Sequence, residues 1–137
     1  MTIRMTQQIR ESMAASVKAL VLLNTLPRYN VYSVRRDNLT DEQLPAVVIT
    51  IADGFYENGA EETSVNVRVE IRDTGKKIEN ILDDHAQNYI EPLFPIGNTL
   101  GGLVEYIKPV SFAYILDDDS GIGSMILNYN VKYENEE

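Results

Sequence analysis

The sequence predicts an α+β fold: a largely antiparallel or mixed β-sheet with two main helices packed on one face. Three observations predict it. Met5, Ile9, Met13, Val17, Leu20 and Val21 recur at spacings of three and four, the period of a helix with one apolar stripe. Val65, Val67, Val69 and Ile71 alternate with Asn66, Arg68, Glu70 and Arg72, the period of a strand with one wet face. The elements then follow the order helix, short strand, two strands, helix, two strands. Hairpin neighbours pair, and the helices are left to cover a single side of the sheet.

Taken in order, the first helix ends at Leu26-Pro27, because the residue before a proline is pushed out of the helical region. Residues 29–34 alternate weakly and read as a short strand. Residues 35–43 are charged and polar, and Thr40-Asp41-Glu42-Gln43 has capping-box spacing, enough for one helical turn before Pro45. Residues 46–51 form a continuous apolar run rich in β-branched side chains, which reads as a buried strand. Asp53-Gly54 through Asn58-Gly59 supplies turn chemistry, so a long hairpin with a polar flap reaching Glu62 is expected. A second helix carries Ile78, Ile81, Leu82, His85 and Tyr89 on one stripe and is closed by Pro92 and Pro95. Residues 97–102 are glycine-rich loop. Residues 111–116 and 125–133 then read as a second hairpin, with Leu127, Tyr129, Val131 and Tyr133 alternating on its last strand.

A chain of 137 residues is the size of one domain, residues 1–137, and buries roughly 70% of its unfolded surface. Without a cysteine, disulfides, thiolate metal sites and cysteine nucleophiles are excluded. With His85 as its one histidine, a multi-histidine metal site is excluded too. The net charge of −9 makes the chain a poor grip for a phosphate backbone, so no specific nucleic-acid binding is expected. Only residues 17–23 are continuously apolar near the start, and Thr6, Gln7, Gln8, Arg10 and Glu11 precede them. That is neither a signal peptide nor a span of ~20 apolar residues, so no membrane partner and a start in a cytoplasm are expected.

Several clusters invite a chemical reading. Asp117, Asp118 and Asp119 are the carboxylates a hard cation wants, yet three adjacent aspartates in an extended chain do not converge, and a solvated turn is the simpler reading. Glu57, Glu61 and Glu62 read as a solvated hairpin tip rather than paired acid–base carboxylates. Asp83-Asp84-His85 resembles a metal cluster by composition. On a helix, however, adjacent residues diverge and His85 sits on the apolar stripe, as a core or interface histidine would. Gly97, Gly101 and Gly102 lack phosphate-loop spacing. Phe55 and Tyr56 stand out as two aromatics on a polar flap, the composition of a contact surface with Glu57, Glu61 and Glu62 as a charged rim. The expectation is a non-enzyme without cofactor or metal. The alternative of another class is a metal-dependent hydrolase using Asp117, Asp118, Asp119 and Asp83.

Leu44-Pro45-Ala46-Val47-Val48 opening a strand, then Gly54-Phe55-Tyr56 and Gly59-Ala60-Glu61-Glu62, then an alternating strand, resembles the minor tail protein U family. These are the tail terminator proteins of lambda-like and related tailed phages. The similarity continues through Tyr89-Ile90-Glu91-Pro92-Leu93 and Leu116-Asp117-Asp118-Asp119-Ser120-Gly121 to Val131-Lys132-Tyr133-Glu134. It spans residues 44–134. Residues 25–43 form a longer connection than the pattern has.

The resemblance implies structural work in a virion tail of a phage or prophage, assembled in the bacterial host cytoplasm. It implies a homo-oligomeric ring, a hexamer, that caps the head-proximal end of the tail tube, stops polymerisation and presents a surface for the head–tail connector. The partners it implies are the chain itself, the tail tube protein and the connector, with DNA passing through the ring. A neck or head–tail joining (tail completion) role is the alternative in the same setting. Six copies of −9 gather about −54, so mutual repulsion at low salt is expected of such a ring.

Overall fold

The computed structural model describes residues 4–23, 28–117 and 121–135. Helix α1 (Met5–Leu22) buries Ile9, Met13, Ala14 and Val17, and its outer face is polar enough for Gln7 Nε2 to donate to Glu11 Oε1 at 2.9 Å. Strand β1 (Asn30–Tyr32) is short and pairs in parallel with the start of β2 (Ala46–Glu57). Between them Thr40 opens a single 3₁₀ turn (Asp41–Gln43), its backbone N–H donating to Gln43 Oε1 at 2.9 Å, as the capping-box spacing predicts. Strands β3 (Glu62–Thr74), β4 (Tyr106–Leu116) and β5 (Ile122–Glu134) complete a five-stranded mixed sheet in the order β1-β2-β3-β5-β4, every pair but the first antiparallel. Helix α2 (Ile78–His85) continues through a π turn (Ala86–Ile90) into a 3₁₀ turn (Glu91–Leu93).

The alternation of β3 decides which face is dry. Val65, Val67, Val69 and Ile71 stand opposite Val131, Tyr129, Leu127 and Met125 of β5 and join Val47 and Ile49 of β2 beneath the helices. Ile9, Met13 and Val17 of α1 and Leu82 of α2, with Ala86, Ile90 and Phe94 beyond it, close that core from above. Both helices lie on this one face, so the predicted α+β architecture is the observed one. Helix α1 covers β1 and β2, while α2 covers β3 and β5. The other face carries a polar ladder, including Asn130 Nδ2 on Asn66 Oδ1 at 3.4 Å and the Arg72–Glu70 ion pair. The segment 37–39 borders that face beside Arg72, whose guanidinium donates to the Asp37 carbonyl at 3.4 Å.

Among the boundaries that differ from the sequence reading, three have a clear physical reason. Asp53-Gly54 is not a turn: β2 runs on to Glu57, and the irregularity is a bulge between Ile51 and Asp53. Gly54 is required there because a Cβ would lie 2.9 Å from Val65 Cγ1 and 3.0 Å from the Ser64 carbonyl. The turn itself is residues 58–61, with Asn58, Gly59 and Ala60 all at positive φ. In the second helix the π turn adds a residue per turn, so Ile90 is fully buried while Tyr89 is only partly so. Strand β4 starts at Tyr106, before the expected 111–116, because a second bulge between Pro109 and Ser111 lets the proline sit inside the strand.

Candidate functional site

The hairpin tip is where the expected contact residues lie, and the ladder sorts them. Register places Phe55 opposite Ser64 and Tyr56 opposite Thr63, so the two rings leave opposite faces of the sheet. Phe55 is 50% exposed on the polar face and Tyr56 is 70% exposed on the helix side. They are two separate apolar points rather than one paired anchor. Glu57 and Glu62 stand opposite one another and both reach Lys132 of β5, whose Nζ is 3.1 Å from Glu57 Oε2 and 3.4 Å from Glu62 Oε2. These hydrogen bonds, that to Glu57 foremost, raise the lysine pKa above its ordinary value. Glu62 also faces Glu105, which donates a shared hydrogen bond: the Glu105 carboxyl is pushed up and that of Glu62 is held down, helped by Asn58 Nδ2. Glu61 is exposed and its carbonyl accepts the Asn135 N–H at 2.8 Å. The tip is therefore a tied-down structure, with Asn135 also bonding Thr63 Oγ1 and the Ala60 carbonyl.

The second acidic candidate lies at the other end of the sheet. Asp117 is exposed, and its N–H donates to the Ile122 carbonyl at 3.1 Å while its carbonyl accepts from Gly121 at 3.0 Å, closing the β4–β5 turn. Asp118 and Asp119 lie outside the described residues. Asp83 is engaged as acceptor of the Tyr114 hydroxyl. Among the described residues no group of three or more His, Cys, Asp or Glu side chains converges as a metal would need. No described helix is long and apolar enough to cross a membrane.

His85 is a core residue with a specific task. It is 6% exposed, its Nδ1 lies 2.8 Å from the Tyr29 hydroxyl and its Nε2 lies 2.7 Å from Asp73 Oδ2. Burial pushes the Tyr29 phenol well above its ordinary pKa, so the hydroxyl keeps its proton. The Asp73 carboxylate accepts from the Nε2–H, and the Tyr29 hydroxyl bonds Nδ1. Three chain segments are stitched together by this relay: the residue before β1, the end of α2 and the end of β3.

The β4 edge is a feature that the sequence reading does not single out. The two helices cover four strands and leave β4 as an edge beyond them. Val110, Phe112, Tyr114, Ile115 and Leu116 are exposed along it, with Phe112 at 64% and its ring edge-on to Tyr114 at 6.2 Å between centroids. A groove of about 410 Å³ runs between Phe112, Val110 and the Phe94–Ile96 segment, with Glu91 at its margin. Residues 111–116 read from the sequence as one strand of a hairpin, and Pro109 just before them carries the edge signal, since proline in a ladder marks an edge.

No curated protein matches this sequence. The family model for phage minor tail protein U matches residues 4–133. That range takes in both helices, all of the sheet but its last residue, the hairpin tip and the exposed β4 edge. Among the described residues every buried side-chain polar atom has a partner, and the apolar surplus on a sheet edge suits a component that is completed by other chains. The match covers nearly the whole chain, and the chain belongs to the phage minor tail protein U family, structural components of the virion tail.

Proposed function

We propose that this chain is a tail terminator: copies of it form a closed ring on the last layer of a finished tail tube, stop further tube subunits from adding, and leave a surface for the head–tail connector. It acts without catalysis, and the bacterial host cytoplasm is where it assembles. Family membership sets the tail context. The observation that carries the reading beyond that is the one-sided sheet, whose helices cover four strands and leave an exposed apolar edge. Capping needs two different faces, one that fits the growing end and one that does not repeat it. A heterologous interface whose rotation closes gives a ring with two such faces. The acidic surface suits a channel through which DNA slides, because few cations are presented to hold phosphates.

The hairpin tip is proposed as the contact with the tube or the connector, through Phe55 and Tyr56 with Glu57, Glu61 and Glu62 beside them. Asp117 is proposed to border a contact at the opposite end, and Asp118 and Asp119, outside the described residues, are proposed as interface residues with it. Adding the protein to a solution of elongating tail tubes tests the reading. Elongation stops at substoichiometric protein if the chain caps ends. Unchanged growth with the protein left in solution overturns the proposal, and binding only to heads would favour the joining role instead.

A further inference from the structure

The net charge of −9 conceals a division along the sheet. Residues 1–36 hold six basic residues, Arg4, Arg10, Lys18, Arg28, Arg35 and Arg36, against the single acidic Glu11, a formal +5. The other residues hold twenty acidic and six basic, a formal −14. The fold turns much of this asymmetry into a spatial one, with Asp37, 2.7 Å from Arg35, an exception at the basic edge and Lys77 and Lys108 exceptions at the acidic one. Helix α1 and strand β1 lie together at the β1–β2 edge, while β4 is the far edge of the same sheet.

Each edge also carries its own apolar surplus. At the near edge Leu22 is 83% exposed, one turn along α1 from exposed Lys18, and exposed Val34 adjoins exposed Arg35 just past β1. At the far edge Val110, Phe112, Tyr114 and Leu116 run beside Glu79, Asp83 and Glu91, acids at every fourth or eighth position from the start of α2 onward. The grooves confirm that the two rows are neighbours: Glu91 lines one with Val110 and Phe112, Asp83 another with Phe112 and Tyr114, and Glu79 a third with Leu116.

We infer that the α1–β1 edge of one copy docks on the β4 edge of the next, with Lys18, and Arg35 beside its partner Asp37, against the Glu79–Glu91 row, and Leu22 and Val34 against Phe112 and its neighbours. The occupant of the β4 edge is thus a second copy of this chain. The two edges present different residues and lie at opposite ends of the sheet, so the contact is head-to-tail by construction, with a free edge always left for another copy. Like edges repel, which suppresses a two-fold dimer. This deepens the self-assembly proposed above and rests on it. It also reverses the expectation drawn from net charge: at the contact opposite charges meet, so association strengthens as salt falls and the Debye length grows from ~8 Å at 0.15 M to ~30 Å at 0.01 M.

Sedimentation of two charge-reversed variants tests it, up to a concentration that reveals a Kd of ~1 mM. Glu79→Lys with Glu91→Lys makes both edges basic; Lys18→Glu with Arg35→Glu makes both acidic. Each variant alone is expected to self-associate at least about tenfold more weakly than wild type at low salt. An equimolar mixture is expected to regain assembly, because the variants can alternate. Both remain net negative, so bulk attraction between them cannot supply that rescue. As a second check, Phe112→Ser should keep the melting temperature, its ring being exposed, and lose association. Variants that assemble like wild type, a mixture that stays apart, or a wild type monomeric at every salt and concentration overturn the edge assignment. Tube capping, measured in parallel, separates the two readings. Capping with edge variants that self-associate normally removes the edge assignment alone, and edge-dependent association without capping removes the terminator reading alone.

Discussion

Replacing His85 with alanine tests how much of the fold depends on the Tyr29–His85–Asp73 relay. The substitution removes two buried hydrogen bonds, at 2.8 and 2.7 Å, and leaves the Tyr29 hydroxyl and one Asp73 oxygen without their partner. A lost buried bond costs about 1 kcal/mol net, and stranding a polar group costs ~1–3 kcal/mol. Loss of the imidazole's edge contacts with Tyr29, 5.3 Å between ring centroids, adds to this. The expected destabilisation is ~3 kcal/mol. Unfolding entropy of ~2.1 cal/mol/K per residue over 137 residues turns that into a fall in Tm of roughly 10 °C. Tyr29→Phe removes the donor alone and should cost about 1 kcal/mol, or ~3–4 °C. The double variant should be less destabilised than the sum, with a coupling of at least ~0.5 kcal/mol between directly bonded partners. Urea and thermal melts of the four proteins supply the cycle. A His85→Ala protein melting within ~2 °C of wild type, or strictly additive effects, would refute the claim that the relay joins the residue before β1 to α2 and β3.

Gly123→Ala places a Cβ 2.6 Å from Ile78 Cγ1 and 3.1 Å from Leu116 Cδ2, so it should push α2 off β5 and lower stability by ~1–3 kcal/mol in a urea melt. Glu105→Gln tests the shared hydrogen bond at the tip. The Glu105 pKa is raised when folded, so its contribution is complete at low pH and fades as pH rises through that raised value, whereas the glutamine keeps its donor throughout. The variant should therefore melt with wild type in acid and above it at neutral pH, in scans across a pH series. Phe55→Ala and Tyr56→Ala should each leave Tm nearly unchanged. Because the rings leave opposite faces, one variant should impair tube capping far more than the other in an elongation assay.

Periodicity carried most of the fold. The stripes of residues 5–21 and the alternation of residues 65–71 belong to elements whose one buried face leaves a strict pattern, and those faces are the ones that meet in the core. Element ends were less legible, because they depend on pairing. Asp53-Gly54 has turn chemistry in isolation, but the partner strand β3 extends past it and turns the glycine into a site of close approach. The histidine was placed correctly on the apolar stripe, while its partners Tyr29 and Asp73 lie 56 and 12 residues away and no local pattern links them. The β4 edge was hidden for a related reason. Hydrophobicity reports that a strand wants cover, not which chain provides it, and two helices are one too few for a five-stranded sheet.

The most direct test of the terminator account is electron cryomicroscopy of tail tubes incubated with the purified protein. The account predicts one closed ring of this chain on a single end of each tube, absent from the shaft and from the other end, with the α1–β1 edge of each copy against the β4 edge of its neighbour. Bare tube ends, or the protein distributed along the shaft, would contradict it.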